Sequence, residues 1–362
     1  MKFTATAALL SLLGTCALAG DASFRTDNPE QNPNRFSVGG MLLFNTKVRF
    51  STTAGALGSA NPGTTNSATD HTYDNGFNKV DSTGNSAPPG ATSFWGYDHS
   101  SQLTSSGGPG GPVDGVAMDA ATRKAAGYLA RGTADAQPGL EVSYGRVIGV
   151  GQRTTWGAEA AFGFVSFGEN SGRPGSASLS RLTDVYSLNV NGVLVTAPDA
   201  PYSGPQTPQP GSPLLGDAPA RSTTPVTGTV NGVRGFDANL YTLRVGPFLE
   251  CNVTERFSVA ASGGLAMIFV DGRFRYNETV SYLSSGGQTL TVPESGSSSG
   301  LNTLVGAFIG VRAAYDIDPK WRVFGSFNLL DTSTLDRTAG TRRVNVDFNG
   351  SFLLNVGVNY AY

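Results

Sequence analysis

Charge is scarce in this chain. Asp, Glu, Lys and Arg make up 14% of its 362 residues, where a water-soluble domain of this length carries about 25%. The formal charge of −2 at pH 7 provides no basic surface, and phosphate neutralisation requires one, so nucleic acid is excluded as a partner. Cysteine and histidine occur twice each, too few for a disulfide scaffold. Beyond residue 19 no apolar run approaches the roughly 18 residues that a membrane helix needs. A helical membrane protein is thereby excluded, and a secreted all-β protein or a barrel whose apolar surface is spread by alternation remains.

What is present begins with Met1-Lys2, an apolar stretch from Phe3 to Leu13, and Ala17-Leu18-Ala19. That is the basic, apolar and small-residue order of a secretory signal. Leu13-Gly14-Thr15-Cys16 is the rival reading, a lipoprotein box, but Thr15 departs from the small residue such a box places before cysteine. The expected organisation is a signal peptide over residues 1–19, a periplasmic tail over 20–34 and a barrel over 35–362. Cleavage leaves Cys251 alone, so the mature chain is expected to carry no internal disulfide.

Period-2 alternation dominates the rest. Near the carboxyl end Phe348, Phe352, Leu354, Val356, Val358, Tyr360 and Tyr362 share one face, with Asp347, Asn349, Ser351, Asn355 and Asn359 on the other. The first strand places Phe36, Val38, Leu42, Phe44, Val48 and Phe50 opposite Arg35, Ser37, Lys47 and Arg49. Between them, 139–151 pairs with 154–168, 236–251 with 256–274, and 301–316 with 320–330, each across a short polar link. The expected fold is an eight-stranded antiparallel up-and-down transmembrane β-barrel, with ten strands as the alternative. Closure is expected because lipid satisfies no free strand edge. Short links alternate with long connections at about 52–138, 169–235, 277–300 and 331–343, rich in Gly, Ser, Thr and Pro, which is the asymmetry of periplasmic turns and extracellular loops.

Aromatic rings are expected in girdles at both strand ends. Phe36, Trp156, Phe257, Tyr315, Trp321, Tyr360 and Tyr362 form the periplasmic set, and Tyr144, Phe164, Tyr241, Phe269 and Phe327 the outer one. The enclosed face carries Lys47, Arg49, Glu141, Glu159, Arg244, Glu250, Arg312, Arg322 and Asp347. Buried charges must pair. Similar heights above the turns predict a structural network linking Glu159 and Arg312 to Arg244, with Glu141 and Arg322 in the same lumen. Phe248, Phe308 and Phe324 narrow it. Arg146 falls on the lipid face, where a bulge at Gly145 is expected to turn it inward.

The ending Phe352-x-Leu354-x-Val356-x-Val358-x-Tyr360-x-Tyr362 resembles the terminal strand of small outer-membrane barrels of the OmpA transmembrane-domain, OmpX and OmpW kind. The pattern covers residues 35 to 362 and rests on no signature motif. The resemblance implies location in the outer membrane of a Gram-negative cell, contact with its lipid, and insertion by the barrel-assembly machinery. It also implies a structural or surface-interaction scaffold whose long loops meet an extracellular ligand. A narrow porin-like channel for small or apolar solutes is the alternative, and a lipid-modifying enzyme the third reading. The only histidines, His71 and His99, lie in the first long connection without a strand-anchored serine. The chain is therefore expected not to be an enzyme and to need no cofactor or metal. The aromatic segments 71–76 and 94–98 are expected to form a packed plug over the barrel mouth, with a ligand patch as the other reading.

Overall fold

The computed structural model describes residues 32–66, 69–81, 88–108, 110–124, 128–205 and 211–362; the signal-peptide expectation and most of the tail lie outside them. Fourteen strands of six or more residues dominate the described residues. They are β1 (Asn34–Phe44), β2 (Lys47–Thr52), β3 (Gly115–Arg123), β4 (Tyr128–Thr133), β5 (Gln137–Val150), β6 (Thr154–Ser171) and β7 (Gly175–Ser187). After them come β8 (Ala220–Asn252), β9 (Phe257–Leu283), β10 (Thr289–Asp316), β11 (Trp321–Thr332), β12 (Thr334–Ala339), β13 (Arg342–Asp347) and β14 (Ser351–Ala361).

Antiparallel ladders join β1 to β5, β5 to β6, β6 to β8, β8 to β9 and β9 to β10. They continue from β10 to β11, β11 to β14 and β14 to β1. The same sheet extends from β8 through β7 to β3 and two short segments, Gly55–Ala56 and Leu103–Thr104, giving twelve strands. Eight were expected. The extra strands come from connections whose Ser, Thr and Gly content suggested loops, although Ser and Thr also suit a solvated pleated face. Residues 277–300 are likewise no loop: β9 and β10 pair continuously from Phe257↔Tyr315 to Leu283↔Thr289.

A second, four-stranded sheet runs β4-β2-β13-β12. Each of its strands continues one of the shorter strands of the first sheet, and every junction inserts a residue that exchanges the two faces. In β1 the buried residues are odd-numbered, Arg35 to Leu43; in β2, beyond Asn45 at φ 61, they are Val48 and Phe50. Phe348 is likewise fully buried, ahead of Gly350 at φ 77. Val48, Phe50 and Phe348 therefore do not share the outward face as expected. Lys47, Arg49 and Asp347 point away from the interior for the same reason. The one-residue shift moves a whole side-chain set to the other face.

Below these junctions the sheet is apolar outside and polar inside. Leu265, Val305 and Val356 are 69%, 57% and 66% exposed, while Ser37, Glu141, Arg244, Glu250, Arg322, Asn355 and Asn359 are buried. On β9 the outward face is Phe257, Val259, Ala261, Gly263, Leu265, Met267 and Phe269, then abruptly Asp271, Arg273, Arg275 and Asn277. The climb from Phe257 to Phe269 covers about 40 Å at about 3.3 Å per residue, or about 28 Å when tilted by about 45°, the thickness of a bilayer's hydrocarbon. β10 changes one outward position further along the ladder, from Leu301, the partner of Asp271, to Ser299, Ser297 and Ser295.

Two outward residues sit elsewhere than expected. Tyr144 pairs with Phe36 and donates to Asn34 Oδ1 at 2.7 Å, so it lies with Phe36 at the lower end of the strands and not with the outer set. Arg146 remains exposed and outward, because the bulge in β5 falls between Val147 and Gly149 rather than at Gly145. Cys251 is buried on β8 and is not a free thiol. The cleavage on which the unpaired-cysteine expectation rests lies outside the described residues.

Candidate functional site

The enclosed side of β8, β9 and β10 is stacked in chemically distinct layers. Lowest is a set of ion pairs, most of them between strands that are not neighbours in the sheet; Asp316 and Arg322 alone are direct ladder partners. Arg35 Nη1 donates to Glu250 Oε2 at 2.5 Å, and Arg322 bridges Glu250 Oε1 at 3.1 Å and Asp316 Oδ1 at 2.8 Å. Arg312 grips both Glu159 oxygens, at 2.7 and 3.1 Å. Arg244 reaches Glu141 Oε2 at 2.5 Å, whose other oxygen accepts from Asn355 Nδ2 at 3.1 Å. Four cations thus face four carboxylates, as burial demands. Phe248, Phe308 and Phe324 lie against Arg35, Arg244 and Arg312 at 5.8, 5.2 and 4.7 Å from ring centroid to guanidinium carbon. Ring faces attract such cations. The cavity among these side chains is ≈ 30 Å³, room for about one or two waters.

Above the pairs the interior becomes dry. Met41, Val165, Phe167, Phe236, Ile268, Val270, Phe274, Leu304, Val344, Val346 and Phe348 form one apolar cluster between the long strands and the second sheet. Higher still, Glu294 accepts from Arg123 Nη2 at 2.5 Å and Arg342 Nη2 at 2.9 Å. Arg342 also donates to Glu278 and lies 5.3 Å over the Tyr276 ring. A second apolar cluster follows, with Leu57, Leu179, Val230, Val280 and Val292.

The top layer is a latch of carboxylates and tyrosines. Asp184 accepts from Tyr73 Oη at 2.5 Å and from Arg221 Nε and Nη2 at 2.9 and 2.7 Å, and the Tyr73 and Tyr186 hydroxyls are 2.7 Å apart. Asp119 accepts from Thr183 Oγ1 at 2.6 Å and from the Ser285 amide and hydroxyl at 2.9 Å each. Tyr282 Oη donates to Asp74 Oδ2 at 2.5 Å. These bonds tie the first long connection, β3, β7, β8 and the β9–β10 hairpin into one body. Burial, aided by the bond to Asp184, pushes the Tyr73 hydroxyl above its usual pKa, and burial does the same to Tyr186 and Tyr282. Burial also raises the Asp74 carboxyl.

Of the lumen residues singled out from sequence, Glu159 and Arg312 meet. Arg244 goes to Glu141 and Arg322 to Glu250, so the charges form separate groups where one network was expected; each guanidinium takes the carboxylate it can reach across the lumen. Lys47, Arg49 and Asp347 stay outside. Of the girdle residues, Trp321 and Tyr360 are 4.9 Å apart, Tyr360 and Tyr362 6.1 Å, and Phe257 pairs with Tyr315. Phe36 pairs with Tyr360, and Trp156 is 50% exposed. The segments 71–73 and 95–97 are packed: Trp95 is fully buried, 4.7 Å from Tyr202. His71 is buried with Nδ1 2.7 Å from Pro62 O, and His99 caps a short 3-10 turn.

The sequence reading missed Glu278, Glu294, Arg234, Arg342 and the latch. The signal for the first two was available: the even-numbered inward set of β9 and β10 continues unbroken through 278 and 294 once 277–300 is read as strand.

No family model matches the chain, and no characterised protein matches it by sequence. Among solved structures it is similar to Ail, the attachment invasion locus protein of Yersinia pestis, at 9% identity over 91% of this chain and 99% of that one, with a TM-score of 0.27. It is similar to the outer membrane protease OmpT of Escherichia coli at 8% identity over 94% and 99%, TM-score 0.31. A Pseudomonas aeruginosa FadL homologue matches at 11% over 95% and 96%, TM-score 0.19. These are bacterial outer-membrane β-barrel proteins, and likeness at such scores carries no activity across. The expectation that this chain is not an enzyme is withdrawn, because a protease stands among the matched structures and a fold does not determine chemistry.

Proposed function

We propose that this chain is an outer-membrane protein whose eight mutually paired strands close into a plugged transmembrane barrel, and whose extracellular half is a rigid head for contact with a ligand outside the cell. The observation that carries this reading is the exchange of exterior chemistry on neighbouring strands within one outward position of each other, between Phe269 and Asp271 on β9 and between Leu301 and Ser299 on β10. Hydrocarbon solvates the lower exterior and water the upper. The return of the ladders from β14 to β1 and from β6 to β8 supports closure, since an open edge in lipid leaves backbone groups unsatisfied. The ion pairs and the apolar cluster that fill the interior favour a plug over the OmpW-like channel.

The test uses the mature chain in vesicles and on cells. A tag placed in the Asn191–Gly192 turn is expected to be labelled on intact cells, while planar-bilayer recordings show no steady conductance. A protein that stays soluble without detergent, or a tag reached only after lysis, would sink the reading. Steady conductance, abolished by filling mutations around Ser262, would replace the plug with the channel.

A further inference from the structure

Just above the apolar band the exterior is hollow. Along β6, β8 and β9 the outward ladder partners Phe164, Tyr241 and Phe269 make the topmost aromatic row of that band, with the Phe164 and Tyr241 rings 5.4 Å apart. The next outward row is Ser166, Asn239 and Asp271, and the one after it Gly168, Asp237, Arg273 and, on β10, Ser299. Short side chains there leave a groove of ≈ 410 Å³. It crosses four strands, about 15 Å at about 4.8 Å per strand, and its volume falls in the range of small-molecule sites, roughly 300–1,000 Å³. The polar groups in it are uncommitted. Arg275 holds Asp237 at 2.9 Å, but among the described residues Ser166, Asn239, Asp271, Arg273 and Ser299 make no side-chain hydrogen bond or ion pair. By contrast, every carboxylate of the lumen pairs and of the latch is engaged.

We infer that this groove binds the sugar headgroup of a glycolipid in the outer leaflet, an inference that rests on the chain spanning the outer membrane. Asn239 and Asp271 stand side by side and offer an amide donor, an amide acceptor and a carboxylate; the Ser166 and Ser299 hydroxyls donate and accept, and Arg273 adds donors. That set suits vicinal hydroxyls, which donate and accept in turn. A phosphate is a poor fit, because the lining sets the carboxylates of Asp237 and Asp271 against the one guanidinium of Arg273 and like charge repels. Location sets the source of the sugar. Aromatic rows sit at the level of lipid headgroups, so a groove directly above such a row faces the heads of the lipids whose chains pack on Phe164 and Phe269. Acyl chains on the apolar band and the sugar in the groove hold one molecule by both of its parts.

The experiment folds the mature chain into phosphatidylcholine vesicles containing an acylated glucosamine disaccharide, with or without its phosphates. Insertion is scored by heat-modifiable gel mobility, and glycolipid retained per folded chain is counted by native mass spectrometry after transfer to micelles. Saturable retention of the glycolipid in preference to phosphatidylcholine, equal for the phosphorylated and dephosphorylated forms, is expected. Asn239→Ala combined with Asp271→Ala is expected to weaken it at least about tenfold, and Ser166→Trp to abolish it by filling the groove. Arg343→Gln, on the exposed face of the second sheet, is expected to leave it unchanged. A chain that inserts yet retains no glycolipid overturns the site alone, whereas a chain that does not insert overturns the membrane reading and the site with it. Retention that requires the phosphates, retention that survives the groove variants, or equal binding of the deacylated disaccharide also overturns the site.

Discussion

The lower and upper halves of β9 follow opposite rules within one strand. From Phe257 to Phe269 the exposed face is apolar and the enclosed face holds Ser258, Ser262 and Gly264; above it the exposed face holds Asp271, Arg273 and Arg275, and the enclosed face Phe274, Val280 and Tyr282. The upper half gains from burial in the ordinary way, each large apolar side chain contributing about 1.5–3 kcal/mol. The lower half has no such gain, because hydrocarbon outside is as apolar as any core, and directed polar contacts organise its interior instead. The four face exchanges that end β1, β5, β11 and β14 are where one rule hands over to the other.

That contrast is broken most severely by substitutions at buried charge. Glu250→Gln leaves Arg35 and Arg322 facing each other in the lumen, and loss of one buried partner costs about 3–5 kcal/mol. The exposed pair Arg343–Asp336, at 2.8 Å, belongs to the upper exterior, where Arg343→Gln is expected to cost no more than about 1 kcal/mol. Equilibrium urea unfolding in vesicles measures both, and similar costs would mean that the lumen is open to water.

Next in size is the outer surface. Leu265→Arg, near the middle of the lipid-facing run, is expected to cost about 2–4 kcal/mol, whereas Ser297→Arg on the upper β10 exterior is expected to stay within about 0.5 kcal/mol. The same unfolding measurement in vesicles checks the pair. Equal effects would erase the boundary between Phe269 and Asp271.

The latch sharpens the comparison through pH. Tyr73, Tyr186 and Tyr282 have folded pKa values raised above the unfolded one, so the folded head favours neutral tyrosine. Their contribution is complete below about pH 10, the unfolded value, and falls as pH rises above it. Asp74, also raised, weakens the head in the same direction through a lower range, from the usual carboxylate value upward. Alkaline titration followed by tyrosinate absorbance should release the head cooperatively while the membrane-spanning strands keep their β signal. Tyr282→Phe is expected to remove part of that transition; independent titration of each tyrosine at its ordinary value would contradict the latch.

How much of this was legible in the sequence divides along the same line. The membrane half was, because strict alternation over Phe352 to Tyr362 and short turns such as 151–153 report a two-faced ribbon directly. Lumen pairing was legible as composition but not as partners: Glu141 and Arg244 are 103 positions apart, and no local pattern fixes which carboxylate a lumen arginine reaches. The head was opaque. Its strands carry Ser, Thr and Gly outward, as in Ser295, Ser297 and Ser299, which looks like a loop until the inward partners Val292, Glu294 and Gly296 are placed on the other face. One-residue face exchanges, as at Asn45, are invisible to a periodic count that continues through them.

The smallest expected effect tests where the lipid boundary lies at the bottom. Arg146 points outward among Tyr144, Ile148 and Val150, yet its ladder partners are Asn34, the first residue of β1, and Ala158, two positions above Trp156. That places its guanidinium near the lower end of the strands, where an outward arginine costs about 0–1 kcal/mol rather than the 2–4 of a bilayer's midplane. Arg146→Leu is therefore expected to stabilise the protein by no more than about 1 kcal/mol in vesicle unfolding. A gain of several kcal/mol would put the guanidinium in hydrocarbon and move the lower boundary down past Trp156; a loss would mean that Arg146 holds a lipid phosphate at the rim.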